Sequence, residues 1–185
     1  MKELIAQYLK DLGEKMDGFD CENLIKIIEA LQNARIKGKN IFVMGNGGSA
    51  ATANHFACDF GKNAVKRDDG RFKVISLSDN TSYITAYGND ISFDSIFEEQ
   101  LKNLMEFEDV LMAISASGNS PNIIKAIQYA KSKNAVIIGL TGFDGGKLRE
   151  LSDININADF KTYEQIEDFH LMLTHMIVYA FKSRS

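Results

Sequence analysis

The chain has 185 residues, 45% of them hydrophobic and 25% charged, with a formal net charge of −4. That length suits one domain with a full core, and the balance of apolar and charged residues excludes a disordered chain. No basic block points to nucleic acid, no apolar run nears the ~20 residues that span a bilayer, and the acid-bearing start Met1-Lys2-Glu3-Leu4-Ile5 is not a signal peptide.

Residues 2–16 place Leu4, Ile5, Tyr8, Leu9 and Leu12 at helical spacing. Residues 21–37 do the same with Leu24, Ile27, Ile28, Leu31 and Ile36, and Gly38 reads as the stop. This leading helical pair, residues 1–38, can cover a sheet or pack on another subunit, and spacing alone does not choose. Cys21 and Cys58 form no metal or redox spacing, which points to a reduced, cytoplasmic protein.

Asn40-Ile41-Phe42-Val43 then reads as a strand, Met44-Gly45-Asn46-Gly47-Gly48-Ser49-Ala50 as a glycine-rich turn, and residues from about Ser49 to Phe60 as a helix closed by Gly61. Glycines let the backbone turn sharply and bring N–H groups to a ligand, and the first turn of the helix adds unpaired donors and partial positive charge. The natural guest is a phosphate held by Gly47, Gly48 and Ser49. The pattern lacks the Lys-Ser/Thr pair of a Walker loop and the third glycine of a dinucleotide fingerprint, so no nucleotide cofactor is expected.

Residues 62–70 read as an exposed charged loop, 73–77 as a strand, 85–90 as a turn-bearing segment and 93–107 as a helix. Asn80-Thr81-Ser82 matches a glycosylation sequon that is meaningless without secretion. Residues 109–114 form an apolar run without alternation, as a strand buried on both faces does. The run ends in Ser115-Ala116-Ser117-Gly118-Asn119-Ser120-Pro121, a second polar loop. Ser120 is a good N-cap there and Pro121 suits the first helical position. A helix to Ser132, a strand over 135–140, a loop, a short helix over 147–151, a thin strand over 154–156 and a long helix over 163–182 complete the chain.

Strands alternating with helices predict a parallel sheet of about five strands with helices on both faces, residues 39–185 forming its core. In a doubly wound, flavodoxin-like order 2-1-3-4-5, strands one and three are neighbours at the switch point where ligands bind. The two loops would then share one phosphate, through Ser49, Ser115, Ser117, Ser120 and backbone N–H groups.

Chemistry has two candidate sources. His55 and Asp59 share a face of the helix after the first loop, and Glu167 and His175 point roughly the same way on the final helix. A carboxylate and a histidine beside a sugar phosphate suit proton abstraction next to a carbonyl, which is aldose–ketose isomerisation. His55, Asp59, Glu167 and His175 also compose an N2O2 zinc set, and the residues do not separate these readings. His170 reads as a hydrogen-bonded core histidine.

Gly45–Ser49, His55-Phe56-Ala57, Gly88-Asn89-Asp90, Ser115–Ser120, Leu140-Thr141-Gly142 and Ile166–His175 together resemble, in order over essentially the whole chain, the phosphoheptose isomerases of the SIS (sugar isomerase) fold. The resemblance implies one SIS domain over 1–185 that converts sedoheptulose 7-phosphate to a manno-heptose 7-phosphate, the first step toward nucleotide-activated heptose for surface polysaccharides. It implies His175 as the catalytic histidine, phosphate contacts from Ser49, Ser115, Ser117 and Ser120, and substrate contacts from Asn46, Asn89, Asp90 and Glu164. It further implies a homotetramer with active sites between subunits, and zinc in some members at positions like His55 and His175. Asp59 stands where better-known members carry a glutamate base, Glu167 where they carry glutamine, and Glu164 where aspartate is usual. An arginine usual after the first core helix has Lys62 as its nearest counterpart. The base is therefore Asp59 or Glu167, or both hold a metal. Two other functions fit the pattern: a non-catalytic sugar-phosphate-binding regulator of the same fold, and an isomerase of a different ketose phosphate.

Overall fold

The computed structural model describes residues 1–64 and 70–184; of the charged loop expected over 62–70, residues 65–69 lie outside the described residues. Five strands, β1 (Asn40–Gly45), β2 (Lys73–Ser76), β3 (Val110–Ser115), β4 (Val136–Gly142) and β5 (Ile154–Ala158), pair in parallel in the order β2-β1-β3-β4-β5. This is the expected doubly wound topology, with β1 and β3 adjacent at the reversal of strand order.

Strand alternation sorts the core into two layers. Ile41, Val43, Met112, Ile114, Ile138 and Leu140 face one side. There they meet α2 (Glu22–Ile36), α3 (Gly47–Asn63) and α8 (Tyr163–Arg184) through Ile27, Leu31, Phe56, Phe60, Ile166, Leu173 and Ile177. Phe42, Met44, Leu111, Ala113 and Ile137 face the other side. They meet α5 (Ile96–Leu104), α6 (Pro121–Ser132) and α7 (Gly146–Leu151) through Phe97, Leu101, Ile123, Ile127 and Leu148. Burying both faces is why these strands read as unbroken apolar runs.

Three local expectations change. Gly61 does not end α3, which runs on to Asn63. A side chain at Gly61 would press on Val74 Cγ1 at 3.0 Å, so the glycine serves close helix–strand approach rather than termination. The segment read as a turn over 85–90 is the second half of α4 (Thr81–Asp90), and Asn80 of the apparent sequon caps that helix by accepting the Tyr83 N–H at 3.1 Å. The helix expected over 93–107 is a 3-10 turn (Phe93–Ser95) followed by α5.

The leading helix α1 (Lys2–Asp17) has no buried residue. Leu12 and Met16 touch the core layer of α8, while Leu4, Ile5 and Leu9 are exposed. Polar ties hold it beside α8: Tyr8 Oη donates to Asp168 at 2.5 Å and Gln165 Nε2 to Asp11 at 3.4 Å. Partial burial, then the Asp168 carboxylate, push the Tyr8 phenol up to about 12.

Candidate active site

The first loop closes because Gly45 ends β1 with no side chain. A Cβ there would run into the Ser49 backbone, so α3 begins directly over the strand end. Gly47 takes φ +54 to make the turn. Ser78, just past β2, clasps the strand end, accepting the Gly45 N–H at 3.1 Å and donating to the Gly45 carbonyl at 2.9 Å. Ser49 is buried in the first turn, and Asn46 sits at the N-cap without a side-chain cap bond.

The second loop leaves β3 at Ser115. Gly118, at φ +63, packs so tightly that a Cβ would strike the Gly145 carbonyl. Asn119 staples this loop to α7: its Nδ2 donates to the Ser117 carbonyl at 3.0 Å and its Oδ1 accepts the Lys147 N–H at 3.1 Å. Ser115 is buried with its hydroxyl accepting the Gly118 N–H at 3.2 Å, and Ser117 is half-buried. Ser120 occupies the N-cap of α6 as expected, but its hydroxyl makes no cap bond. Asn46, Gly47, Gly48 and Ser49 thus stand at one helix start, and Ser115, Ser117 and Ser120 line the approach to another. Two reciprocal amide bonds of 2.9 Å between Asn46 and Asn122 join the loops directly. Asn122 escaped the sequence reading. Its signal is a polar residue on the buried phase of α6, in line with Ala126 and Ala130.

The second cluster lies where α3 and α8 run side by side in the same direction. Gly48 meets Glu167, His55 meets His175, and Phe60 meets Phe181 at successive levels. His55 and His175 place their Nε2 atoms 3.0 Å apart, and Asp59 Oδ2 lies 3.3 Å from His55 Nε2. Among the described residues these three form a group whose donor atoms all lie within 4.8 Å of one another. Glu167, expected as a fourth donor, is not in that group; its carboxylate lies against Gly48, where any Cβ would collide with it. Seven residues of helix separate Gly48 from His55, so the histidines stand about 10 Å beyond the loop.

The three donors fit a zinc ion. With bonds of about 2.0–2.1 Å, neighbouring ligands of a tetrahedral ion stand about 3.3 Å apart, close to the two short separations here. Two imidazoles and one carboxylate, with a position left open, make the donor set of a catalytic rather than a structural site.

Asn89, Asp90 and Glu164 are not drawn into either cluster. Asn89 donates to Asp90 at 2.8 Å, both exposed at the end of α4. Glu164 is exposed in the first turn of α8, on the side of Tyr8.

Two glycine- and serine-bearing loops thus meet at the strand switch point of an α/β domain, with the His55–Asp59–His175 cluster about two helical turns along α3. A SIS domain family model matches residues 6–142. The phosphoheptose isomerase of Helicobacter hepaticus is 40% identical over 82% of this chain and 74% of its own. That of Aliarcobacter butzleri is 38% identical over 95% and 88%. The solved phosphoheptose isomerase of Neisseria gonorrhoeae superposes with a TM-score of 0.89 at 30% identity, covering 98% of both chains. The chain belongs to the phosphoheptose isomerase branch of the SIS-domain family.

Proposed function

We propose that the protein is an intramolecular oxidoreductase that converts D-sedoheptulose 7-phosphate to D-glycero-D-manno-heptose 7-phosphate, opening nucleotide-activated heptose synthesis for lipopolysaccharide or capsule. The observation that carries this reading is the His55–Asp59–His175 cluster set about two helical turns from a two-loop phosphate cradle. The phosphate of the open-chain ketose is taken by Ser49, Ser115, Ser117, Ser120 and the first-turn N–H groups of α3, with Asn46 beside it. Its carbonyl end then reaches along α3 to the histidines.

Asp59 takes a proton from C1, His175 gives one to the C2 oxygen, and the enediol forms. Return of the proton to C2, with loss of the proton on the C1 oxygen, completes the aldose with no net oxidation. Asp59 is preferred to Glu167 as base because it is the carboxylate beside the histidines. The metal is the alternative to those two roles: were His55, Asp59 and His175 to hold a Zn2+, they would serve as its ligands instead of moving protons, and the ion would supply polarisation of the carbonyl and enediol oxygens.

The whole chain acts as one SIS unit in this reading. The exposed Leu4, Ile5 and Leu9 of α1 support a homotetramer, and the outward-facing Asn89 and Asp90 support active sites completed between subunits. Light scattering reads the oligomer directly, and a monomer at micromolar concentration would remove that part of the proposal.

The function is tested by an NMR time course with sedoheptulose 7-phosphate in D2O, with and without chelator. Conversion with deuterium at C2 is expected, and chelator sensitivity assigns the cluster to a metal. Absence of both conversion and exchange, with sugar phosphate still bound, would move the protein to the regulators of this fold.

A further inference from the structure

We infer that Asn122 is a positioning residue that sets the distance between the two phosphate loops. The inference rests on the sugar-phosphate reading of the site and goes beyond it. Asn122 is 1% exposed, in the first turn of α6. Its Oδ1 accepts the N–H of Ile123 at 2.9 Å, which fixes how the amide is turned. Nδ2 must then be the donor toward Asn46 Oδ1, and Asn46 Nδ2 the donor toward Asn122 Oδ1, both at 2.9 Å.

The pair forms where the sheet stops controlling the backbone. The β1–β3 ladder ends at Gly45 opposite Ile114, and both loops lie beyond it. Asn46 is the N-cap of α3, yet its side chain makes no cap bond. It turns instead to Asn122, which leaves the first-turn N–H groups of α3 for a ligand. On the other side Ser120, at the matching position of α6, makes no cap bond either, which leaves its hydroxyl for a ligand, while Pro121 has no N–H and the Ile123 N–H is taken by Asn122. The first-turn N–H groups of α3 and the serine hydroxyls of the second loop are therefore held at one spacing by a closed pair of amide bonds, one partner of which is buried. Orienting donors before the anion arrives removes an ordering cost from binding.

The test uses inorganic phosphate as the calorimetric probe and sedoheptulose 7-phosphate for turnover, with Asn46→Ala, Asn122→Ala and the double variant, each assayed well below its Tm. Asn122→Ala is expected to raise the phosphate Kd and the sugar-phosphate KM together by about tenfold, the scale of one net hydrogen bond, with kcat within about twofold. Asn46→Ala is expected to cost less in the Asn122→Ala background than in the wild type, because the shared bond is already gone. Should Asn122→Ala not fold, Asn122→Ser, small and polar in the same helical turn, carries the measurement. Wild-type protein that ignores phosphate overturns the cradle and the clamp with it. Wild-type binding matched by Asn122→Ala or Asn122→Ser, or strictly additive effects of the two alanines, overturns the clamp alone.

Discussion

His170 and His175 lie five positions apart on α8, and what each ring meets sets them apart. His175 is exposed and faces His55. Its replacement by alanine is expected to cut turnover about a thousandfold, within the range of one acid–base group, while phosphate affinity stays unchanged. Near-normal turnover of that variant would remove His175 from the chemistry. His170 is wholly buried, with Nε2 on the Thr141 carbonyl at 2.9 Å and Nδ1 without a hydrogen-bond partner among the described residues. Burial pushes its pKa down to about 4, against an ordinary value of 6.5. The folded state therefore binds its proton less readily than the unfolded chain. Stability from this group is complete above pH 6.5 and is lost as pH falls toward 4, by roughly 3 kcal/mol in all. His170→Gln keeps an N–H toward Thr141 and should flatten that part of the profile. Denaturant unfolding at pH 7 and pH 4.5 measures it, and an unchanged difference between the two pH values would exclude His170 as the source.

At the scale of elements, the active cluster depends on how α3 packs on α8. Phe60 is the hub: its ring centroid lies 4.9 Å from Phe56, 4.2 Å from Phe72 and 5.3 Å from Phe181. Asp59 precedes Phe60 in the chain, and His55 lies a little over one turn before it. Phe60→Ala should therefore do two things. It should cost about 3–5 kcal/mol of stability through the cavity it leaves. It should also lower kcat more than it weakens phosphate binding, because the loops are held from the other side, by Ser78, Asn119 and the Asn46–Asn122 pair. Thermal melts and phosphate calorimetry on the one variant read both effects, and a phosphate Kd that worsens in step with kcat would contradict the separation.

Across the whole molecule, what could be read beforehand followed from periodicity and turn chemistry. Apolar runs such as Val110–Ile114 announced strands buried on both faces, and the glycines and serines after β1 and β3 announced the two loops that adjoin at the switch point. What escaped depended on neighbours distant in sequence. Gly61 looks like a helix stop until β2 is laid against it. Asn122 looks like an ordinary first-turn residue until β1 brings Asn46, 76 positions away, to its side. Glu167 is in phase with His175 along α8, but the first loop places Gly48 under its carboxylate, away from the three-donor group. Helical phase reports direction around an axis and says nothing of height along it.

Height is what the parallel run of α3 and α8 supplies. If phosphate sits at the Gly48 level and proton transfer at the His55 level, as proposed above, the helix pair is a ruler graduated in helical turns. A sugar phosphate is measured from one end: only a carbon chain long enough to fill the interval brings its carbonyl to the working groups. Ketose phosphates of five, six and seven carbons should therefore bind through the same phosphate with similar affinity yet differ steeply in kcat, rising with length. A flat kcat across that series would mean the two levels are not read together.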